Sequence, residues 1–121
     1  MSATVEILLK RNLREVFGER DPTKRRSAIA QIWAKNGVFV DHEGRHVGHD
    51  EIDAAAAALQ KRLPDHVFTQ TGAPQVLSGA GRLAWSFGPP HEPGRVTGVD
   101  VLVAGSDKIE AVYVFLDSPA S

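Results

Sequence analysis

The spacing of apolar residues changes near residue 66, and this change limits the folds that are open to the chain. Before that point, apolar residues mostly recur at intervals of three and four, which is typical of amphipathic helices. After it, they follow a period of two, which is typical of β-strands. We therefore expect an α+β fold in which helices cover one side of a curved antiparallel sheet.

Two helices are expected before the first strand. Apolar residues at helical spacing predict a helix over about residues 3–17, which Gly18 ends. Asp21-Pro22 predicts the start of a second helix, because aspartate caps a helix N-terminus and proline is tolerated in the first turn. We expect this helix to end at Asn36-Gly37. Its basic residues are expected on the solvated face: Lys24, Arg25 and Arg26.

A short strand and a third helix are expected next. Residues 38–41 are β-branched, aromatic and acidic, and Gly44 and Gly48 then indicate turns. Asp50 and Asp53 mark the first turn of a third helix, which is expected to continue until Pro64. Antiparallel strands are expected in the second half of the chain, around residues 67–69, 76–77, 83–87, 96–104 and 109–116.

The size and charge of the chain exclude several classes of protein. At 121 residues it suits one domain, which we expect to span residues 1–121. It contains no cysteine, so disulfides, thiolate nucleophiles and cysteine-based metal sites are excluded. With 14 basic and 15 acidic side chains, it lacks the positive charge that drives nucleic-acid binding. No apolar run approaches the roughly 18 residues of a membrane span, so we expect a cytoplasmic protein that binds neither membranes nor nucleic acids.

Residues His42-Glu43-Gly44-Arg45-His46 spell the H-E-x-x-H pattern of zinc metalloproteases. That pattern needs a helix, because only a helical turn brings both imidazoles to one zinc ion. A strand precedes it here and a glycine interrupts it, so extended chain and a turn are predicted instead. A looser metal site formed with His49 in a hairpin is the alternative, and exposed histidines are favoured over it. We expect no metal and no cofactor.

Two aspartates occur at strand positions that otherwise carry apolar side chains. Asp41 shares its side of the strand with Phe39, and Asp100 shares its side with Leu102. A carboxylate in apolar surroundings loses hydration, which raises its pKa and suits it to proton transfer. The alternative is structural: Asp41 caps the turn at Gly44, and Asp100 lies beside a bulge at Gly98. Residue spacing alone favours this alternative.

A set of short motifs in a particular order resembles the SnoaL-like group of the nuclear transport factor 2-like superfamily. The resemblance implies a cone-shaped, cystatin-like roll, in which a curved antiparallel sheet wraps around three N-terminal helices. It also implies an apolar pocket at the open end and a homodimer. The motifs span nearly the whole chain: Trp33, Val38-Phe-Val-Asp41, Gly48-His-Asp-Glu-Ile52, Leu63-Pro64, Leu83-Ala-Trp85, Gly98-Val-Asp100 and Ile109-Glu-Ala-Val-Tyr-Val-Phe115.

Within this superfamily, the chain is similar to ketosteroid isomerase at two positions. The resemblance implies that Asp41 moves a proton and that Asp100, in its acid form, donates a hydrogen bond to an enolate. The tyrosine that completes the oxyanion hole of that enzyme is replaced by Leu13 or a near neighbour. Loss of such a donor costs about 10²–10³ in rate, so steroid isomerisation is disfavoured. The limonene epoxide hydrolase pattern also fails, because Gly98 stands where it has an arginine.

Two functions follow from these residues. The first is an isomerase, cyclase or lyase in which Asp41 and Asp100 act on a small hydrophobic carbonyl compound. The second is a non-catalytic module that binds a small molecule or a protein through the same pocket, and the missing tyrosine favours it. Residues expected to line the pocket, with core packing as the alternative for each, are Leu13, Phe17, Trp33, Phe39, Trp85, Phe87 and Phe115.

Overall fold

The computed structural model describes residues 2–117, and its elements follow the predicted order. The helices are α1 (Ser2–Arg11), which continues into a π-helical turn (Asn12–Phe17), α2 (Pro22–Ile32) and α3 (His49–Arg62). The strands are β1 (Trp33–Asp41), β2 (Gly44–Val47), β3 (Val67–Gln70), β4 (Gln75–Leu77), β5 (Ala80–Gly88), β6 (Val96–Ala104) and β7 (Ile109–Leu116). The Asp21 side chain caps α2 as predicted, accepting a hydrogen bond from the Thr23 amide at 2.9 Å.

The seven strands form one curved, unclosed sheet in the order β2-β1-β7-β6-β5-β3, with β4 also paired to β5. The predicted α+β roll is confirmed. The sheet is not wholly antiparallel as predicted, because β1 runs parallel to β7. The long connection between these two strands, which includes α3 and five strands, makes a parallel pairing possible. The hairpins β5–β6 and β6–β7 are antiparallel.

The second helix ends earlier than the sequence predicts. It stops at Ile32, and Trp33 already has the extended conformation of a strand residue. Trp33 pairs with Ile109 of β7, and the His49 side chain contacts the Trp33 and Ala34 carbonyl oxygens at 3.0 and 3.2 Å. The prediction that the helix reaches Asn36-Gly37 is wrong, because pairing with a distant strand outweighs the local preference for a helix.

Arg25 is buried, which corrects the prediction that it lies on a solvated face. Its guanidinium Nε donates to Asp53 Oδ1 at 2.7 Å, and Nη1 donates to Gln60 Oε1 at 3.1 Å. Both partners belong to α3, so this charge joins α2 to α3. The burial of a guanidinium is tolerated here because its donors are paired.

Within residues 2–117, no helix combines the length and the apolar character that a membrane crossing requires.

Candidate active site

A cavity of about 890 Å³ lies between the curved sheet and the helices. The π-helical turn contributes Leu13 and Phe17 to its wall, and α3 contributes a row of small and aliphatic side chains that includes Ala55 and Leu59. The sheet contributes residues from β1, β2, β3, β5, β6 and β7. A volume of this size falls within the range of about 300–1,000 Å³ that is usual for small-molecule sites.

Aromatic rings form two groups in the cavity wall. Phe17 stacks on Phe39 with ring centroids 4.6 Å apart. Phe68 stacks on Phe87 at 4.1 Å and meets Trp85 edge-on at 5.3 Å. Such pairs hold each other in fixed orientations, so the wall presents a firm apolar surface.

Asp100 is a buried carboxyl in the cavity wall. It lies in the middle of β6, and its side chain accepts a hydrogen bond from Trp85 Nε1 at 2.9 Å. Burial raises the pKa of the Asp100 carboxyl to about 7, and the hydrogen bond from Trp85 opposes this effect in part. At neutral pH, a substantial fraction of Asp100 is therefore a neutral acid that can donate a proton or a hydrogen bond.

Gly98 makes room for the indole that holds Asp100. It pairs with Trp85 across the β5–β6 ladder, and the pairing runs unbroken through this position. A Cβ at Gly98 would lie 2.7 Å from Trp85 Cζ2 and 2.8 Å from the Phe115 carbonyl oxygen. The alternative that Gly98 marks a bulge is therefore wrong; the glycine permits close approach of the Trp85 ring.

We expect Gly98→Ala to lower the free energy of unfolding by about 1–3 kcal/mol, because the added methyl overlaps the indole and the backbone. Urea unfolding followed by circular dichroism measures the change. Gly72→Ala is the matched control, because a Cβ there meets nothing within 4 Å. Equal stability of the two variants would contradict a packed contact between Gly98 and Trp85.

Asp41 lies at the end of β1, opposite Gly44, and is part of the same cavity wall. Its side chain is 19% exposed. Oδ1 accepts a hydrogen bond from the Glu43 amide at 3.0 Å, so Asp41 does cap the turn, as the structural alternative requires. The His46 Nε2 atom lies 3.5 Å from the same oxygen. Only one oxygen of Asp41 is occupied by the turn, and the residue is also part of the cavity wall.

The residues predicted to line a pocket divide into two groups. The first group lines the cavity, as do both aspartates: Leu13, Phe17, Phe39, Trp85 and Phe87.

The second group, Trp33 and Phe115, does not line the cavity, so the prediction is wrong for these two residues. Trp33 is buried in the core, and its Nε1 donates to Asn12 Oδ1 at 2.9 Å. Phe115 lies on the opposite face of the sheet and is 58% exposed. It alternates with Val114 and Leu116, which line the cavity. The sequence does not reveal which face of β7 is inside, because both faces are apolar.

Among the lining residues that were not predicted are two with aromatic rings. Phe68 of β3 pairs with Phe87, and His46 of β2 pairs with Phe39. The signal for His46 lies in the turn: a two-residue connection at His42-Glu43 places Asp41 opposite Gly44, and His46 then faces Phe39. The H-E-x-x-H residues thus lie in a β-hairpin, as predicted, and not on a helix.

No family model matches the sequence, and no curated protein matches it. Solved structures do match. A proposed isomerase of the SnoaL-like family from Agrobacterium tumefaciens is 26% identical, with a TM-score of 0.88, over 96% of this chain and 99% of that one. A proposed SnoaL-like polyketide cyclase from Jannaschia sp. CCS1 is 12% identical (TM-score 0.78; 96% and 87% covered). A proposed ketosteroid isomerase from Kribbella flavida is 13% identical (TM-score 0.75; 99% and 82% covered). Because their sequence identities are so low, the last two structures show only that the fold is shared.

Proposed function

We propose that this chain, a SnoaL-like member of the nuclear transport factor 2-like superfamily, is an acid–base isomerase, cyclase or lyase acting on a small hydrophobic carbonyl compound. One observation carries the proposal: Asp41 and Asp100, from strands on different parts of the sheet, line the same cavity. A base and an acid in one apolar cavity are what proton transfer next to a carbonyl group requires.

Asp41 is the base in this proposal. Its carboxylate takes a proton from the carbon next to the carbonyl group, so a C–H bond breaks and an O–H bond forms on Asp41. The electron pair of the C–H bond becomes a C=C bond, and the carbonyl π electrons move to the oxygen. Asp41 then returns the proton to another carbon, which completes an isomerisation. In a lyase reaction, the enolate re-forms the C=O bond and expels a group from the β-carbon, which leaves with its bonding electrons and takes the proton from Asp41. In a cyclase reaction, the enolate carbon attacks a second carbonyl carbon of the same molecule, whose oxygen takes the proton. The role of base requires one accessible carboxylate oxygen, and the Asp41 side chain is partly exposed.

Asp100 is the acid. In its neutral form, it donates a hydrogen bond to the oxygen on which negative charge develops. The Trp85 indole donates to Oδ1 of Asp100, which orients the carboxyl group within the wall. The surrounding apolar side chains exclude water, and this strengthens the hydrogen bond at the moment charge appears.

The cavity wall favours a ligand that is mostly apolar. Aromatic and aliphatic side chains surround the carboxyl groups, and the charged residues lie at exposed positions. Arg62 is paired with Glu43 at 3.3 Å, and Arg95 with Glu92 at 2.8 Å, so these charges have partners already. We infer a ligand without strong charge.

The second candidate function is ligand binding without chemistry. The observation that favours it is Leu13, which lines the cavity with an aliphatic side chain. The resemblance to ketosteroid isomerase implies a tyrosine at this position or a near neighbour. An enolate would then receive one fewer hydrogen bond, and a weakly acidic ketone would react slowly. A binding module would use the same aromatic wall and would not need either carboxyl group for affinity.

Hydrogen–deuterium exchange separates the two functions. The protein is incubated in D₂O with small apolar ketones, including a tetralone and a β,γ-unsaturated cyclohexenone, and deuterium next to the carbonyl group is measured by NMR. Exchange faster than in buffer supports the enzyme. Quenching of Trp85 fluorescence by these ketones without exchange supports the binding module, and Trp85→Phe identifies which tryptophan responds.

We also propose that the chain forms a homodimer through the outer face of β6 and β7. Apolar side chains face each other across these strands on the side away from the cavity, as the pairs Val99–Phe115, Val101–Tyr113 and Val103–Ala111. Phe115 is 58% exposed and Tyr113 is 41% exposed. A contiguous apolar patch of this kind is usually covered by a partner, and a second copy can place the same patch against it.

A charge in this patch is expected to weaken the dimer. We expect Phe115→Glu to raise the dimer dissociation constant by about 30-fold or more, equivalent to about 2 kcal/mol, because association would bury an unpaired carboxylate. Sedimentation equilibrium measures the change. Leu77→Glu is the control, because Leu77 is 75% exposed on β4, outside the patch. A wild-type chain that stays monomeric at all concentrations would refute the dimer.

A further inference from the structure

His46 has a buried ring nitrogen without a hydrogen-bond partner. It lies on β2, paired with Phe39, and its ring is 5.7 Å from the Phe39 ring. The side chain is 26% exposed and lines the cavity, but the Nε2 atom itself is buried. Among the side-chain nitrogens and oxygens of the residues in 4–117 that are not exposed, Nε2 of His46 is the single buried atom with no partner. A buried polar atom without a hydrogen-bond partner costs folding free energy, so the position of His46 Nε2 needs an explanation.

The carboxylate of Asp41 lies next to this nitrogen and explains its position. Asp41 Oδ1 lies 3.5 Å from His46 Nε2, which is close enough for attraction but not aligned as a hydrogen bond. A small rotation of either side chain would bring these two atoms together.

We propose that His46 is a positioning residue for Asp41: its Nε2–H holds Oδ1 of the carboxylate and leaves Oδ2 to take the proton from the substrate. The inference rests on the function proposed above. Oδ1 already accepts the Glu43 amide at 3.0 Å, so His46 is a second donor to the same oxygen. Two donors, one from the turn and one from β2, stop the carboxylate from rotating, so that Oδ2 keeps one direction.

This arrangement matters because proton transfer from carbon depends strongly on the position of the base. A misplacement of about 1 Å costs about 10²-fold in rate. The turn alone cannot supply this control, because a single amide donor leaves the carboxylate free to pivot about one hydrogen bond. The β1–β2 register supplies the second donor, since Asp41 pairs with Gly44 and His46 follows two residues later.

NMR of the imidazole protons tests the contact without any need for turnover. Ring N–H protons of exposed histidines exchange too fast to be observed, whereas a buried, hydrogen-bonded Nε2–H gives a cross-peak. His49 is the internal reference, because its Nε2 contacts the Trp33 and Ala34 carbonyl oxygens, which only accept. We expect a His46 Nε2–H cross-peak in the wild type that Asp41→Ala removes while the His49 cross-peak stays. No His46 cross-peak in the wild type, or one that Asp41→Ala leaves unchanged, would overturn the inference.

Kinetics of the exchange reaction test the positioning role. We expect His46→Phe, which keeps a ring but loses the donor, to lower kcat by about 10- to 100-fold with KM within a factor of two. His46→Gln, which restores a donor, should recover part of the loss. Adding either change to Asp41→Asn should have no further effect. His91→Gln is the matched control, because His91 is exposed and outside the cavity lining. An unchanged kcat in His46→Phe would overturn the inference.

The two arms keep the inference separate from the proposed function. If no ketone exchanges but the His46 cross-peak depends on Asp41, the proposed function fails and the contact between the two side chains stands. If Asp41→Asn abolishes exchange while His46→Phe is fully active, the proposed function stands and the positioning role fails.

Discussion

Replacing Asp41 by asparagine is expected to lower the rate of ketone exchange by about 10³-fold, within the range that general acid–base groups contribute. An amide has nearly the same shape as a carboxylate but cannot take a proton from carbon. Its oxygen can still accept the Glu43 amide hydrogen bond, so the β1–β2 turn should form as before. The rate is measured by NMR in D₂O, and circular dichroism checks the fold.

Asp107→Asn is the control for this substitution. Asp107 is an exposed residue of the turn between β6 and β7 and takes no part in the cavity wall. Its exchange rate should equal that of the wild type. A fully active Asp41→Asn protein would remove Asp41 from the mechanism. It would leave Asp100 as a buried carboxyl without a proton acceptor beside it.

The second large effect concerns stability against pH and comes from Asp100. Its pKa is about 7 in the folded protein, against an ordinary value of 3.8, so the folded state holds an extra proton between these two values. Since the folded state binds more protons than the unfolded state in this interval, stability falls as pH rises from about 4 to about 7. The shift of about three units corresponds to roughly 4 kcal/mol of unfolding free energy.

Asp100→Asn isolates this contribution, because asparagine does not titrate and its oxygen can still accept from Trp85 Nε1. Urea unfolding of the wild type and the variant is measured between pH 4.5 and pH 8. Other carboxyl groups affect both proteins equally, so we expect the difference between the two stability curves to change by roughly 3–4 kcal/mol across this range. Parallel curves would mean that Asp100 is ionised in the folded protein, and the acid role proposed for it would be lost.

The fold could be predicted from the sequence because its signals are local. The change from helical spacing to alternation, the Asp21-Pro22 cap and the glycines at 44 and 48 each act within a few residues. The end of α2 could not be predicted in this way. Trp33 begins a strand because it pairs in parallel with Ile109 of β7, more than seventy residues later. No property of the short segment itself reveals that partner.

The candidate site could be predicted in part for the same reason. Alternation along a strand places Asp41 with Phe39 and Asp100 with Leu102, so both aspartates are found by reading one strand at a time. The positions of Trp33, Phe115 and His46 cannot be found by reading one strand at a time. Whether an aromatic side chain enters the core, the cavity or the outer face depends on which face of the sheet the helices cover.

The class of fold and the strand positions of two carboxyl groups follow from the sequence, because hydrophobic periodicity and turn residues act over short distances. That these carboxyl groups share one cavity follows only from the way the strands and helices pack. The same packing places Asp41 at 3.5 Å from His46 Nε2 and buries Arg25. Those facts depend on strand order, register and the curvature of the sheet. They arise from contacts between residues far apart in the chain, which no local pattern encodes.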